Sequence, residues 1–175
     1  MKISLAPVNP VADLALIHEW VGQDRARFWG MGDHTRDELG EVYAFLDSLP
    51  THHAYLAREA GVPVALLQTY EPGADPVGDC YDVLEGDLGA HFMMAPPTMH
   101  RPGFTEGVLR SFAEWVFKDP AIRRIVAEPD ARNDKAVRRL TGFGFERGPV
   151  IELPEKRAQL VFLTREWFGL AVAVG

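Results

Sequence analysis

A chain of 175 residues that is 47% apolar and 25% charged has the size and balance of one globular domain, which excludes a disordered, collagen-like or low-complexity protein. Its 25 acidic against 18 basic side chains leave −7 at pH 7, a charge that repels a phosphate backbone and argues against nucleic acid as a partner. No apolar run is long enough to cross a bilayer, the N-terminus lacks a signal-peptide pattern, and the single Cys80 has no disulfide or zinc partner, so a cytoplasmic protein with no membrane and no metal is expected.

No repeat or linker divides the sequence, and residues 1–175 read as a single domain. A short strand is expected near Lys2 to Ala6. Asn9 followed by Pro10 reads as the cap of a first helix, with Val11, Leu14, Ala15, Ile17 and Val21 as its apolar stripe. Thr35 and Glu38 have capping-box spacing before Leu39, Val42, Tyr43 and Leu46, which predicts a second helix ending before Pro50. His52 to Glu59 and Val62 to Tyr70 are β-prone runs around Ala60-Gly61, the pattern of an antiparallel hairpin. His52 and His53 are read as surface and core neighbours without a metal.

Asp75 to Asp82 reads as a loop, and Asp87 to Met94 as a buried central strand in which His91 is an anomaly. Val108, Leu109, Phe112, Ala113 and Val116 mark a helix ending before Pro120, followed by a strand over Arg123 to Glu128. A strand, loop, helix and strand in that order predict neighbouring parallel strands with ligand-binding loops at their carboxyl ends, and Asp130 lies just past such an end. Asn133 caps the next predicted helix, running to Leu140 with Gly142 as its left-handed terminator; strands follow over Phe143 to Val150 and Arg157 to Leu163. The expected class is mixed α/β with a partly antiparallel sheet.

The stretch from Asn133 through Ala136, Gly142 and Phe143 to Phe145 resembles the N-x-x-A…GF segment that closes the acyl-CoA site in the GNAT acyltransferase superfamily. Five further blocks stand in the family's order: Phe28-Trp29-Gly30-Met31, Gly86 to His91, Phe117 to Pro120, Arg123 to Asn133, and Leu153 to Ala158. Together they resemble the siderophore-biosynthesis branch, of mycobactin and aerobactin type, whose members acylate N-hydroxylysine, lysine side chains or hydroxylated diamines. The similarity runs from Ile17 to Phe168.

The resemblance implies one GNAT-like acyltransferase domain over residues 1–175, a mostly antiparallel sheet of the seven predicted strands with flanking helices, and a splayed central parallel pair. It implies Asp130 as catalytic acid/base and His91 as a catalytic, substrate-contacting histidine, with Trp29, Gln68, Tyr81 and Asp82 also at the substrate. Gln68 stands where the family pattern has glutamate. Arg101, Gly103, Phe104, Thr105, Asn133 and Ala136 are implied at an acetyl-CoA or other acyl-CoA cosubstrate. The loop His100 to Thr105 keeps only the middle glycine of the family's Q/R-x-x-G-x-G/A pattern; Pro102 has no N–H to donate, and Arg101 and Arg110 are candidates to supply direct charge. That departure leaves an acyl carrier protein as a second donor. The Lys156-Arg157 pair reads as a solvated edge.

The implied activity is N-acyl transfer to the amine or hydroxylamine of a small lysine- or diamine-type molecule. An ordinary lysine amine, with pKa about 10.4, costs about 4.6 kcal/mol to deprotonate at pH 7, whereas a hydroxylamine is already neutral there. Two other functions are compatible with the sequence: an aminoglycoside 6′-N-acetyltransferase, and a catalytically silent GNAT-fold binding protein.

Overall fold

The structure, a computed structural model, describes the backbone of residues 2–97, 99 and 101–174, with side chains up to residue 169. His100, in the loop singled out above, lies outside the described residues. The strands β1 (Ile3–Pro7), β2 (His52–Glu59), β3 (Val62–Tyr70), β4 (Asp87–Met94), β5 (Arg124–Ala127), β6 (Glu146–Glu152) and β7 (Arg157–Thr164) form a sheet of order β1-β2-β3-β4-β5-β7-β6. The described helices are α1 (Leu14–Val21), α2 (Arg36–Ser48), α3 (Phe104–Val116), α4 (Asp134–Phe143) and α5 (Arg165–Val174). The sheet is mixed, as expected: β4 and β5 are parallel, while β1–β2, β5–β7 and β6–β7 are antiparallel. The chain divides into two compact units, one holding the residues up to Thr69 with Phe92–Val108, the other Tyr70–His91 with the residues from Leu109 onward.

In the first unit the capping box of α2 is complete: Thr35 Oγ1 accepts from the Glu38 N–H, and Glu38 Oε2 accepts from the Thr35 N–H at 2.7 Å. Its buried face, Leu39 and Tyr43, packs with Ile17, Trp20 and Val21 of α1 and with Leu56 and Leu66 of the hairpin. Ala60 and Gly61 both take positive φ (49° and 84°), the tight hairpin turn that their sequence predicted. Asn9, in contrast, does not cap α1. Its Oδ1 accepts from Val11 and Ala12 N–H (2.9 and 2.8 Å) while its own N–H donates to Asp13 Oδ2, so the side chain closes a turn and the helix starts at Leu14. Val11 is accordingly exposed rather than part of the stripe.

In the second unit the parallel register runs Asp87↔Arg124, Leu88↔Ile125 and Gly89↔Val126 and stops there. Beyond Ala127 the chain stays with β7 instead: Gln159 N–H donates to Pro129 O, Ala131 N–H donates to Arg157 O (2.9 Å each), and Asp130 bridges Ala158. Pro129 has no N–H with which to continue a ladder on its other side.

The helix after Asn133 ends later than predicted. Gly144, at φ 122°, is the terminator in place of Gly142, its N–H and that of Phe145 both returning to Leu140 O, and β6 therefore begins at Glu146 and not at Phe143. Any Cβ at residue 144 would also collide with the Trp167 indole. Helix α5 was not predicted. Thr164 Oγ1 accepts from Trp167 N–H at its start, and the Arg165 guanidinium donates to the carbonyls of Phe117, Asp119 and Ile122. Phe168 then packs on Phe117 and Phe143. No described helix is long and apolar enough to cross a membrane.

Candidate active site

Glu128 follows β5 directly and is 4% exposed, so its charge needs partners. Tyr70, the last residue of β3, donates its hydroxyl to Glu128 Oε2 at 2.6 Å; His91 Nε2 of β4 bonds Oε1; and Lys156 Nζ lies 3.6 Å from Oε1. Burial alone would push the Glu128 carboxyl up, but the charge and hydrogen bond of His91, the Lys156 charge and the Tyr70 hydroxyl hold it well below the usual carboxylate range. Burial and then the neighbouring carboxylate push the Tyr70 phenol far up, which keeps it a protonated donor. An ionised Glu128 can only accept, so the shared proton sits on His91 Nε2. The His91 side chain is about one-third exposed, unlike the carboxylate behind it.

Gly89 makes this geometry possible. A Cβ there would overlap the Tyr70 ring, which itself lies 5.1 Å from the His91 ring. Gly89→Ala is expected to cost about 1–3 kcal/mol of stability through overpacking and to displace the Tyr70 hydroxyl from Glu128. Urea unfolding and turnover of the same preparation check this; a variant unchanged in both would show that the ring can move aside without consequence.

Of the residues predicted from sequence, His91 joins this cluster and Asp130 lies two residues beyond Glu128 with a different partner. Asp130 Oδ1 accepts from the Arg132 N–H (2.8 Å) and Nε (3.0 Å), and Oδ2 accepts from its Nη2 (2.7 Å). Those Arg132 bonds hold the Asp130 carboxyl below its ordinary value. Asn133 caps α4 by accepting from Ala136 N–H at 3.2 Å. The Tyr81 hydroxyl donates to Asp87 Oδ2 (3.0 Å), and Asp87 forms a two-pronged ion pair with Arg124 (2.7 Å on both prongs), whose guanidinium stacks over Phe162. Asp82 is exposed.

Trp29 and Gln68 belong to the first unit, where both meet the Tyr43 hydroxyl, Gln68 Nε2 at 3.5 Å. Arg101, also in that unit, pairs with Glu59 (2.5 and 3.0 Å) and stacks over the Phe104 ring. Gly103 has φ 73° and is open where a Cβ would be; Phe104 and Thr105 begin α3. Arg110 lies over Phe143.

Lys156 corrects an expectation. Arg157 is solvated beside Glu152, but Lys156 is largely buried, turned from the β6–β7 turn towards Glu128. Tyr70 and Glu128 were not singled out from sequence either. The available signal was spacing: Asp87 pairs with Arg124, and His91 and Glu128 each lie four residues further along the chain, Glu128 just past the end of β5. No group of three or more His, Cys, Asp or Glu among the described residues is arranged to hold a metal ion.

A mixed sheet in which the parallel β4–β5 pair ends beside a buried carboxylate and a histidine agrees with the acyltransferase architecture that the sequence blocks resembled. Residues 9–153 match the family described as acetyltransferase (GNAT) domain, and the chain belongs to that family of enzymes. It is 28% identical over 163 residues to an aminoglycoside N(6′)-acetyltransferase type 1 of Klebsiella pneumoniae, covering 89% of this chain and 80% of that protein. It is 26% identical over 137 residues to the lysine N-acyltransferase MbtK of Mycobacterium sp. (strain MCS), covering 77% of this chain and 56% of that one. Among solved structures, aminoglycoside acetyltransferase AAC(6′)-Ib in complex with coenzyme A superposes with a TM-score of 0.85 at 24% identity, over 98% of this chain and 99% of the other.

Proposed function

We propose that the protein transfers an acyl group from acyl-CoA to the nitrogen of a small lysine- or diamine-type acceptor, and that the acceptor nitrogen is a neutral hydroxylamine. One observation carries the choice of acceptor. The three carboxylates of the candidate site nearest the strand ends already have cations of their own: Glu128 has Lys156, Asp130 has Arg132 and Asp87 has Arg124. Little negative charge is left to bind and then deprotonate an ammonium, which suits a nucleophile that arrives uncharged.

In the proposed reaction the acceptor nitrogen attacks the thioester carbonyl and passes its proton to the His91 imidazole. Glu128 stabilises the imidazolium through Nε2–H, the Tyr70 hydroxyl keeps the carboxylate in place, and collapse of the intermediate expels the thiolate, which takes up the proton. Asp130 is assigned a positioning role, tying the segment after Glu128 to Arg132. For the donor, the residues present fit a diphosphate: Gly103 leaves backbone room and the first turn of α3 offers its positive end. Family membership and the CoA-bound structure of AAC(6′)-Ib support acyl-CoA over a carrier protein as the donor.

A second reading, acetylation of an aminoglycoside, is favoured by the longer match to the Klebsiella pneumoniae enzyme and fits the acidic net charge. Thiol release measured with acetyl-CoA and hydroxylysine, hydroxycadaverine, lysine and kanamycin separates the two. The expected order places the hydroxylamines at least tenfold above lysine in kcat/KM; turnover confined to kanamycin overturns the proposal.

A further inference from the structure

The four-residue turn between β6 and β7 is closed by backbone bonds in both directions, Leu153 N–H to Lys156 O (2.8 Å) and Lys156 N–H to Leu153 O (3.3 Å). Leu153 anchors the turn on the core of the second unit. Its neighbours Pro154, Glu155 and Arg157 are exposed, yet the Lys156 side chain is only 17% exposed, with its ammonium directed at Glu128. A lysine normally keeps its charge in water, so this placement calls for a reason.

The reason lies in the partners of Glu128. Tyr70 from β3 gives a neutral hydrogen bond, His91 from β4 gives a charge only when protonated, Tyr81 and Asp130 add no positive charge, and the Arg132 cation is engaged by Asp130. Lys156 is the cation that stays when His91 loses its proton. Without it, a neutral His91 would leave a buried carboxylate with no compensating charge, a state costly enough that the imidazole would keep its proton.

We propose that Lys156 is a positioning residue for acyl transfer: it keeps Glu128 charged in both protonation states of His91, so that the carboxylate holds the imidazole in place whether or not the ring carries the transferred proton. The inference rests on the roles assigned above to Glu128 and His91. With Lys156→Met, the acid limb of the kcat/KM–pH profile is expected to move up by about one unit or more, the size typical of losing a nearby charge, with activity recovering at high pH. The His91 ring resonances of the ligand-free enzyme, followed by NMR, should shift their titration in the same direction, a readout that needs no turnover. Lys156→Arg should restore the wild-type limb, and Lys156→Gln replaces the Met variant if that fails to fold. An unmoved limb and unmoved ring titration in the charge-free variant, with Glu128→Gln inactive, overturn the role of Lys156 while leaving the site assignment standing. A fully active Glu128→Gln overturns both.

Discussion

Glu128→Gln is expected to lower kcat by about 10²- to 10⁴-fold, the range of a general acid–base assembly, while leaving the fold intact. Glutamine has the same shape and can still accept from Tyr70, but it cannot carry the charge that balances an imidazolium on His91. The loss should fall on kcat more than on the KM for acyl-CoA, because Glu128 is assigned no contact with the donor. Asp130→Asn gives the contrast: its carboxylate is held by Arg132, and its effect is expected to stay within about tenfold. Steady-state thiol release with both variants decides; a nearly active Glu128→Gln beside a crippled Asp130→Asn would move the proton-accepting role to Asp130.

The Glu128 variant should also change acid stability. A carboxyl whose folded pKa is depressed contributes stability that is fully present above its unfolded value, about 4.3, and is lost as pH falls through the lower folded value. The wild type should therefore lose stability below about pH 4.3 more steeply than the glutamine variant.

The largest loss of stability is expected from Asp87→Ala, about 3–5 kcal/mol out of the 5–15 typical of a domain. Asp87 has a side chain 1% exposed and holds Arg124 by two 2.7 Å bonds, the Tyr81 hydroxyl and the Leu84 N–H. Its removal strands a guanidinium that is only 19% exposed and a phenol that burial already keeps protonated. Urea denaturation is the direct measurement, and a loss under 1 kcal/mol would mean that solvent reaches Arg124 readily enough to replace the carboxylate. Asp87→Asn, which preserves the shape, should lose less.

Much of the fold was legible because it rests on local chemistry. The Thr35–Glu38 box, the Ala60-Gly61 turn, the Asn133 cap and the apolar run of β4 each state their structure within a few residues. The errors arose where a local signal had two uses. Asn9 satisfied a turn instead of a helix, and of two nearby glycines the terminator was the one packed under Trp167, a contact made by the unpredicted α5.

The site was legible in part for the same reason. His91 stood out as a polar residue in an apolar strand, and the resemblance drew attention to Asp130. Glu128 drew none, because its burial follows from the pairing of β5 with β7 on one side and the hydroxyl of Tyr70 on the other. Lys156 looked like a surface residue beside Arg157, and only the closed turn reveals which of the two cations faces inward.

Strand β5 carries Arg124 at its start and leads into Glu128 four residues later, about 13 Å along an extended chain. At that spacing, perturbations of the two ends should combine almost additively, save for what passes through Tyr81, which bonds Asp87 and feels the Glu128 charge. The protein can thus be hardened against heat around one end of this short strand while its turnover is tuned at the other, a separation that gives mutational drift and laboratory selection two independent dials.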